Sequence, residues 1–435
     1  MNRRILLSIF LFCFVYAVHS ASFVVNSIDS MWVLHTAHSI VNEGNLNLNE
    51  FREEVKAKDR YGVRKRNNSI YNYFPYGTSL LAAPFIYIFD TAPELFIHLV
   101  PGTMESEMRM KEKNEPLQSL SIRLPLEKAI ASALVAITTV VIFLTALQYI
   151  SSTRALILAL VFAFTTPAWS VLSRGLWQHG PSVLMHSLAL LCFIYARENK
   201  KYVLYSAPFL VYSFFVRPTN AVAIIAYSVF ILLYYREYFI KHCLLMLAVS
   251  VPFIAVNFEV FEKIIPQYFN PNRLEPNFNA IMPILANLVS PSRGLLFLSP
   301  IFFFAILAFF KDYYAGLNPD FRRLSFLSLA VIVLHITIVS IFPNWWGGHC
   351  FGARYMSDTI SYFTFLLIPL MQQISFKNKK ILTVTFVLSV IVSVLIHYRG
   401  ANAQIVYMWN TQPTNIDNNP NRAWDTNDIQ VLRGL

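Results

Sequence analysis

Five polar side chains beside apolar segments could together bind an anion and accept a proton. Asp29 follows the first apolar segment, and His179 lies in the sequence WQHG. Three arginines stand at the boundaries of later apolar segments: Arg217, Arg293 and Arg354. A carboxylate at a membrane interface can take a proton from a hydroxyl or an amine, and a planar guanidinium pairs bidentately with phosphate oxygens. These residue types predict a base at Asp29 and a phosphate site formed by the arginines with His179.

Each of these residues also has a structural interpretation. Asp29 could cap the N-terminus of a helix that runs through His35 and His38. Arginines at a membrane boundary often act as anchors that keep their charge in water, and this applies equally to Arg174 in the WQHG loop. The sequence leaves both interpretations open.

Aromatic side chains accompany the polar ones. Tyr73 lies in YNYFPYG, whose proline and glycine predict a turn into an apolar helix, and Trp177 begins WQHG. The most unusual stretch is WWGGHCFGARY, which opens with Trp345 and Trp346. Paired tryptophans beside three glycines predict a backbone that approaches a ligand closely beneath an aromatic surface. An interfacial aromatic belt is the alternative.

The composition requires a membrane around the elements that carry these residues. Hydrophobic residues make up 56% of the 435 residues and charged residues only 14%, whereas soluble domains carry roughly a quarter charged residues. The net charge of +11 is dispersed in short clusters between apolar runs rather than gathered on one face. That pattern favours membrane lipids or a phosphate-bearing substrate as partner and argues against nucleic acid.

Eleven apolar segments predict an all-α, polytopic transmembrane protein with about eleven spans. The segments are 5–25, 126–150, 155–172, 182–196, 202–216, 220–235, 244–258, 294–310, 324–342, 356–374 and 381–397. The first resembles a signal peptide, with two arginines before it and small residues after it, but it is long enough to span, and we interpret it as an uncleaved span.

The cationic residues between the segments predict the sidedness. Arginine and lysine are concentrated in alternate short loops, at Arg3, Arg4, Arg154, Arg197, Lys200, Lys201, Arg236, Lys241, Lys311, Arg322, Arg323, Lys377, Lys379 and Lys380. The positive-inside rule places these loops and the N-terminus in the cytoplasm and the C-terminus outside. The rule holds only if residues 78–100 do not cross, so we expect juxtamembrane or re-entrant helices there, on the outer side.

The predicted organisation gathers the polar segments on one face. Residues 1–25 form the first span, 26–125 an outer loop with juxtamembrane helices, 126–258 spans two to seven, 259–293 a second outer loop, 294–397 spans eight to eleven, and 398–435 an outer C-terminal tail. The compact loops favour a bacterial plasma membrane. A membrane protein built in this way is expected to work at its outer face.

The order of these motifs resembles that in bacterial members of the GT-C glycosyltransferase superfamily. The matching features are Asp29 after span one, FPYG before LLAAP, WQHG, SPSRGLLF, WWGGHCFGARY and, in the tail, Trp409-Asn410, Pro413 and RAWD. The superfamily includes protein O-mannosyltransferases and lipid A aminoarabinose transferases. The resemblance covers nearly the whole chain and rests on the order of the motifs and their predicted sidedness.

The resemblance implies transfer of a sugar from a polyprenyl-phosphate donor to a glycan, lipid or protein acceptor at the outer membrane face. By position, Asp29 matches the family's acidic residue near the acceptor. Ser30 stands where several relatives carry a second acidic residue, so we expect no metal and no other cofactor. The expected phosphate ligands are His179, Arg217, Arg293 and Arg354, and the aromatics expected to hold the sugar or prenyl chain are Tyr73, Trp177, Trp345 and Trp346.

A transporter or flippase of a lipid-linked intermediate is the alternative. It would also need many spans and outer arginines, but it requires polar residues near the middle of the bilayer. The apolar segments offer His186 and His335 as the clearest examples.

Overall fold

The protein is almost entirely helical over the residues that the computed structural model describes. These residues are 3–59, 61–93, 98–101, 119–270, 280–310, 318–374 and 377–435. The α-helices are α1 (Arg3–Ala21), α2 (Val33–Asn42), α3 (Arg52–Ala57), α4 (Gly77–Thr91), α5 (Arg123–Ala146), α6 (Ser152–Phe164), α7 (His179–Tyr195), α8 (Ser206–Val216), α9 (Ala221–Tyr234), α10 (Arg236–Phe261), α11 (Ile281–Val289), α12 (Leu295–Leu298), α13 (Ile301–Phe310), α14 (Pro319–Ser340), α15 (Ile360–Leu366), α16 (Ile368–Gln373), α17 (Lys380–Asn402) and α18 (Ile405–Met408).

Five of these helices are long and apolar enough to cross a bilayer, namely α1, α5, α10, α14 and α17. Shorter apolar helices occupy the other predicted segments, so every one of the eleven contains helix. The all-α class is therefore confirmed, and several apolar helices could span a membrane, while the number of crossings and the sidedness stay predictions.

Proline interrupts several of the predicted segments. Segment 155–172 is α6 followed, after Pro167, by one π-helical turn at Ala168–Leu172. Segment 294–310 is divided into α12 and α13 around Pro300, and segment 356–374 is divided into α15 and α16 at Leu367, two residues before Pro369. Proline has no amide hydrogen to continue a helix, which explains why these segments are shorter helices than an uninterrupted apolar run predicts.

Apolar packing joins the long helices into one bundle, and unpartnered apolar faces surround it. Helix α1 packs on α5, α5 on α7, α7 on α8, and α9 on α14. Helix α10 is hardly buried, and its exposed side chains include Ile240, Leu244, Leu247, Val251 and Phe258. An apolar face of that length needs lipid rather than water around it.

A small polar subdomain follows the first helix. It contains α2, α3, α4 and a hairpin that the sequence did not predict, with β1 (Val63–Arg66) antiparallel to β2 (Ser69–Asn72). Asn67 and Asn68 form its turn with positive φ angles, which asparagine tolerates better than most residues. Helix α4 packs against α2 and ends at Thr91, within the segment predicted not to cross.

The sidedness can be tested with single cysteine substitutions at exposed positions. Lys201→Cys and Asn378→Cys should resist a membrane-impermeant thiol reagent in intact cells, whereas Glu43→Cys and Thr411→Cys should react. The parent protein, which carries four cysteines, gives the background, and lysed cells give full labelling. Reaction at Asn378→Cys without reaction at Thr411→Cys would reverse the predicted topology.

Candidate functional site

A cavity of about 1030 Å³ opens where the polar subdomain meets the helix bundle. Six of the nine predicted site residues line it: Asp29, Tyr73, Trp177, Arg217, Trp346 and Arg354. They come from five separate segments of the chain, with Trp346 and Arg354 in the same loop, so only the fold brings them together. His179 lies directly beneath the cavity wall, completely buried, and contacts both Arg217 and Arg354.

Asp29 is held as an ionised carboxylate at the cavity wall. It forms an ion pair with the Arg354 guanidinium, and the Tyr61 hydroxyl donates to its Oδ1 at 2.8 Å. Burial alone would raise the pKa of Asp29, but the charge and hydrogen bond of Arg354, together with the Tyr61 hydrogen bond, hold the pKa below its ordinary value. Burial and the neighbouring carboxylate raise the pKa of Tyr61, which therefore stays a donor.

Asp29 does not cap a helix. Helix α2 begins at Val33, its N-cap residue is Trp32, and no side chain caps it. The structural interpretation of Asp29 as an N-cap is therefore wrong, and its side chain serves the cavity instead.

Arg354 is the central cation of the site. Its Nη2 contacts Asp29, its Nη1 donates to the Gly347 oxygen at 3.1 Å, and its Nε lies 3.3 Å from His179 Nε2. Its guanidinium also lies 3.5 Å from the centre of the Trp177 ring, a distance at which a cation and an aromatic face attract each other. Arg354 is thus held by Asp29, Gly347, His179 and the Trp177 ring, and it still borders the cavity.

Arg217 and His179 share a buried partner that the sequence analysis did not single out. Asp358 Oδ2 lies 2.8 Å from His179 Nδ1 and 3.4 Å from Arg217 Nε. Arg217 Nη1 lies 2.8 Å from His179 Nε2. Because arginine nitrogens only donate, His179 Nε2 must be the accepting nitrogen, and its Nδ1 carries the proton donated to Asp358. This arrangement keeps His179 neutral.

Glu127 fixes the two loops that carry Asp29 and Trp177. This fully buried carboxylate accepts from the Ser30 hydroxyl, from the Leu176 amide at 2.9 Å and from Arg123 at 3.2 Å. The loops also touch directly at Gly175, where an added Cβ would lie 2.1 Å from the Asn26 oxygen. Only glycine permits that approach.

Arg293 and Trp345 do not line the cavity, contrary to their predicted roles. Arg293 is buried, and it donates to the oxygens of Trp346, Ser292 and Gly348 and to the side chains of Asn410 and Gln430. It therefore holds the C-terminal tail to the loop of residues 345–355, called the WWGG loop below, and its donor groups are already occupied by protein oxygens. Trp345 packs in the same region, against Trp346 at 5.9 Å between ring centres.

The glycines of the WWGG loop are explained by backbone conformation. Gly347 has a φ of +81° and Gly348 a φ of +66°, in the left-handed region that other residues seldom adopt. A Cβ on Gly348 would meet nothing within 4 Å. The turn lets the Gly347 carbonyl reach Arg354, and it leaves space above Gly348 at the cavity wall.

Part of the cavity wall is apolar. It is formed by α8, α9, α14 and the residues just after α14, and its side chains are Phe214, Ala221, Val222, Ile338, Val339 and Phe342. The cavity is therefore lined both by charged groups and by hydrocarbon. The described part of the chain contains no group of three or more His, Cys, Asp or Glu residues placed to hold a metal ion, and metal independence stays a prediction.

No protein-family model and no curated protein sequence matches the chain. The family resemblance therefore rests on the motifs, and the function has to be argued from the cavity.

Removing the charge of Asp358 should destabilise the protein more than removing that of Asp29. Asp358→Asn leaves Arg217 without its buried counter-ion, a change that typically costs about 3 to 5 kcal/mol, whereas Asp29→Asn acts at the hydrated cavity wall. Thermal unfolding of both purified variants measures the difference, with Asp425→Asn in the tail as a control. Equal melting temperatures for Asp358→Asn and the parent would contradict the role of this carboxylate as the buried counter-ion.

Proposed function

We propose that the protein is a membrane glycosyltransferase that transfers a sugar from a polyprenyl-phosphate-linked donor to an acceptor at the outer membrane face. One observation carries this proposal: a single cavity combines a carboxylate, two arginines and an apolar wall. Those are the groups required to accept a proton, to bind a lipid phosphate and to accommodate a prenyl chain.

Arg217 is suited to bind the phosphate without rearrangement. Its Nε and Nη1 contact Thr219, Asp358 and His179. No protein hydrogen bond to its Nη2 is found in the described ranges, and the residue borders the cavity. A guanidinium nitrogen that borders the cavity favours an anionic oxygen.

Arg354 can bind the phosphate only if its guanidinium contacts the phosphate and Asp29 together, or if its ion pair with Asp29 breaks. The phosphodiester monoanion of the donor competes with the carboxylate for the same guanidinium, and its negative charge also raises the proton affinity of Asp29. Donor binding therefore converts a weak base, held ionised by Arg354, into a stronger one. The ion pair keeps both groups in place until the donor arrives.

The reaction follows from these positions. Asp29 takes the proton of the acceptor hydroxyl or amine while the acceptor atom bonds to the anomeric carbon of the sugar. The bond between that carbon and the phosphate oxygen breaks, and the polyprenyl phosphate leaves with the bonding electrons. Arg217 and Arg354 stabilise the charge that develops on the leaving phosphate. The apolar wall of α8, α9 and α14 accommodates the first part of the prenyl chain.

The alternative, a transporter or flippase, has less support from the polar residues within the bundle. His335 contacts the Tyr355 oxygen at 2.9 Å and belongs to the cluster around Asp358. His186 is buried beside Tyr362, with ring centres 5.7 Å apart. Both therefore lie in packed surroundings rather than along a second cavity.

Asp29→Asn tests the base. Asparagine is nearly isosteric: its Oδ1 can accept from Arg354 while its NH2 group donates to the Tyr61 hydroxyl oxygen, so folding and donor binding should be retained. Loss of a general base lowers a rate by about 10²- to 10⁴-fold, and sugar transfer by the purified variant should fall by at least about a hundredfold. A folded variant that transfers sugar at the parental rate would remove Asp29 from the mechanism.

Arg217→Ala and Arg354→Ala test the phosphate site. Each should weaken binding of undecaprenyl phosphate by about tenfold or more, because a charge-assisted hydrogen bond contributes on the order of 1.5 to 3 kcal/mol. Lysine at either position should rescue only part of the affinity. Arg52→Ala, an exposed arginine of the polar subdomain, is the matched control. Parental affinity in both alanine variants would identify these arginines as structural.

A further inference from the structure

A second polar cluster lines the same cavity. It contains Trp346 and His349 of the WWGG loop and Asp417 of the C-terminal tail. Trp346 Nε1 donates to Asp417 Oδ1 at 2.7 Å, and His349 Nε2 lies 3.3 Å from Asp417 Oδ2. Asp417 is therefore held from two sides, yet its side chain remains 47% exposed.

The hydrogen-bond pattern fixes the state of the cluster. Asn415 Oδ1 accepts from the Asp417 amide at 2.9 Å, which sets the orientation of the side-chain amide. The same oxygen lies 2.9 Å from His349 Nε2. Because both neighbours of Nε2 are acceptors, this nitrogen carries the proton. The carboxylate thus receives an N–H from the indole, with the imidazole Nε2 3.3 Å from its other oxygen, and Asp417 borders the cavity.

Asp29 and Tyr61 line the same cavity as this cluster. Tyr61 donates to Asp29, and burial together with the charges of Asp29 and Asp417 raises the pKa of Tyr61. Arg354 contacts Gly347, the residue next to Trp346. A molecule whose phosphate lies at Arg217 and Arg354 therefore occupies the same cavity as Asp417.

We propose that Asp417, Trp346 and His349 form a subsite for the hydroxyl groups of the donor sugar, an inference that rests on the proposed function. A fixed carboxylate accepts hydrogen bonds from neighbouring hydroxyls, and an adjacent indole offers an apolar surface to the ring. The negative charge of Asp417 also repels phosphate, so the donor enters in one orientation, with its phosphate at the arginines and its sugar at the tail.

Arg293 has a positioning role in this account. It connects the Trp346 and Gly348 oxygens with Asn410 and Gln430, and so joins the two chain segments that form the subsite. Its guanidinium lies 5.0 Å from the centre of the Trp409 ring, and Arg422 lies 4.3 Å from the same ring. The tail is thus a fixed part of the cavity wall.

Binding of lipids with and without a sugar tests the subsite. The full-length protein in lipid nanodiscs is titrated with undecaprenyl phosphate and with undecaprenyl-phosphoryl hexose, N-acetylhexosamine and pentose. The parent should bind at least one of the sugar-bearing lipids more tightly than the bare lipid. Asp417→Asn should reduce that preference by about tenfold and should not weaken binding of the bare lipid.

Two further variants test whether the preference for sugar-bearing lipid depends on the Asp417 subsite or on the folding of the tail in general. Trp346→Phe keeps an aromatic ring but removes the N–H that holds Asp417, and should lose part of the preference. Asp425→Asn, a tail residue whose carboxylate accepts only from the Asn427 amide among the described contacts, should keep all of it.

The outcomes distinguish this subsite from the proposed function. Failure of the parent to bind bare undecaprenyl phosphate contradicts the function itself. Equal binding of bare and sugar-bearing lipids by the parent overturns only the sugar subsite. An undiminished preference in Asp417→Asn, or equal weakening of bare and sugar-bearing lipids, overturns it as well.

Discussion

Charged groups at an apolar boundary are stable only when they are paired, and this constraint arranges the whole site. Asp29 pairs with Arg354, Asp358 pairs with Arg217, and a neutral His179 lies between the two pairs. Two cations and two anions balance within this group. A phosphate is then bound when an arginine exchanges its protein partner for the phosphate. A permanently unpaired cation is not needed, and burying one would cost several kcal/mol of free energy, on the order of 3 to 5.

The same constraint separates arginines that looked alike in the sequence. Arg174 and Arg293 are fully buried and surrounded by oxygens, including those of His19, Ser22 and Val24 for Arg174. Such residues hold loops together and have no room for a ligand. Arg217 and Arg354 instead border the cavity and retain acidic or imidazole partners that a ligand can compete with. The hydrogen-bond and ion-pair partners of an arginine therefore determine whether it anchors a loop or can bind a ligand. Its position at a helix end does not.

The sequence allowed the helical class and part of the site to be predicted, because apolar length and the order of polar residues are local properties. Asp29, Arg217 and Arg354 were found because each interrupts or borders an apolar run. Asp358 was missed, although a carboxylate four residues after Arg354 at the start of an apolar run is a signal. The role of Asp417 could not be predicted, because its partners lie about seventy positions away and meet it only through the folded tail.

A structure of the protein with bound undecaprenyl phosphate tests the central claim most directly. The account predicts the phosphate within hydrogen-bonding distance of Arg217 and Arg354, the Asp29 carboxylate separated from Arg354 and facing the cavity, and the first prenyl units against α8, α9 and α14. A phosphate bound elsewhere, with the pair of Asp29 and Arg354 intact, would contradict it.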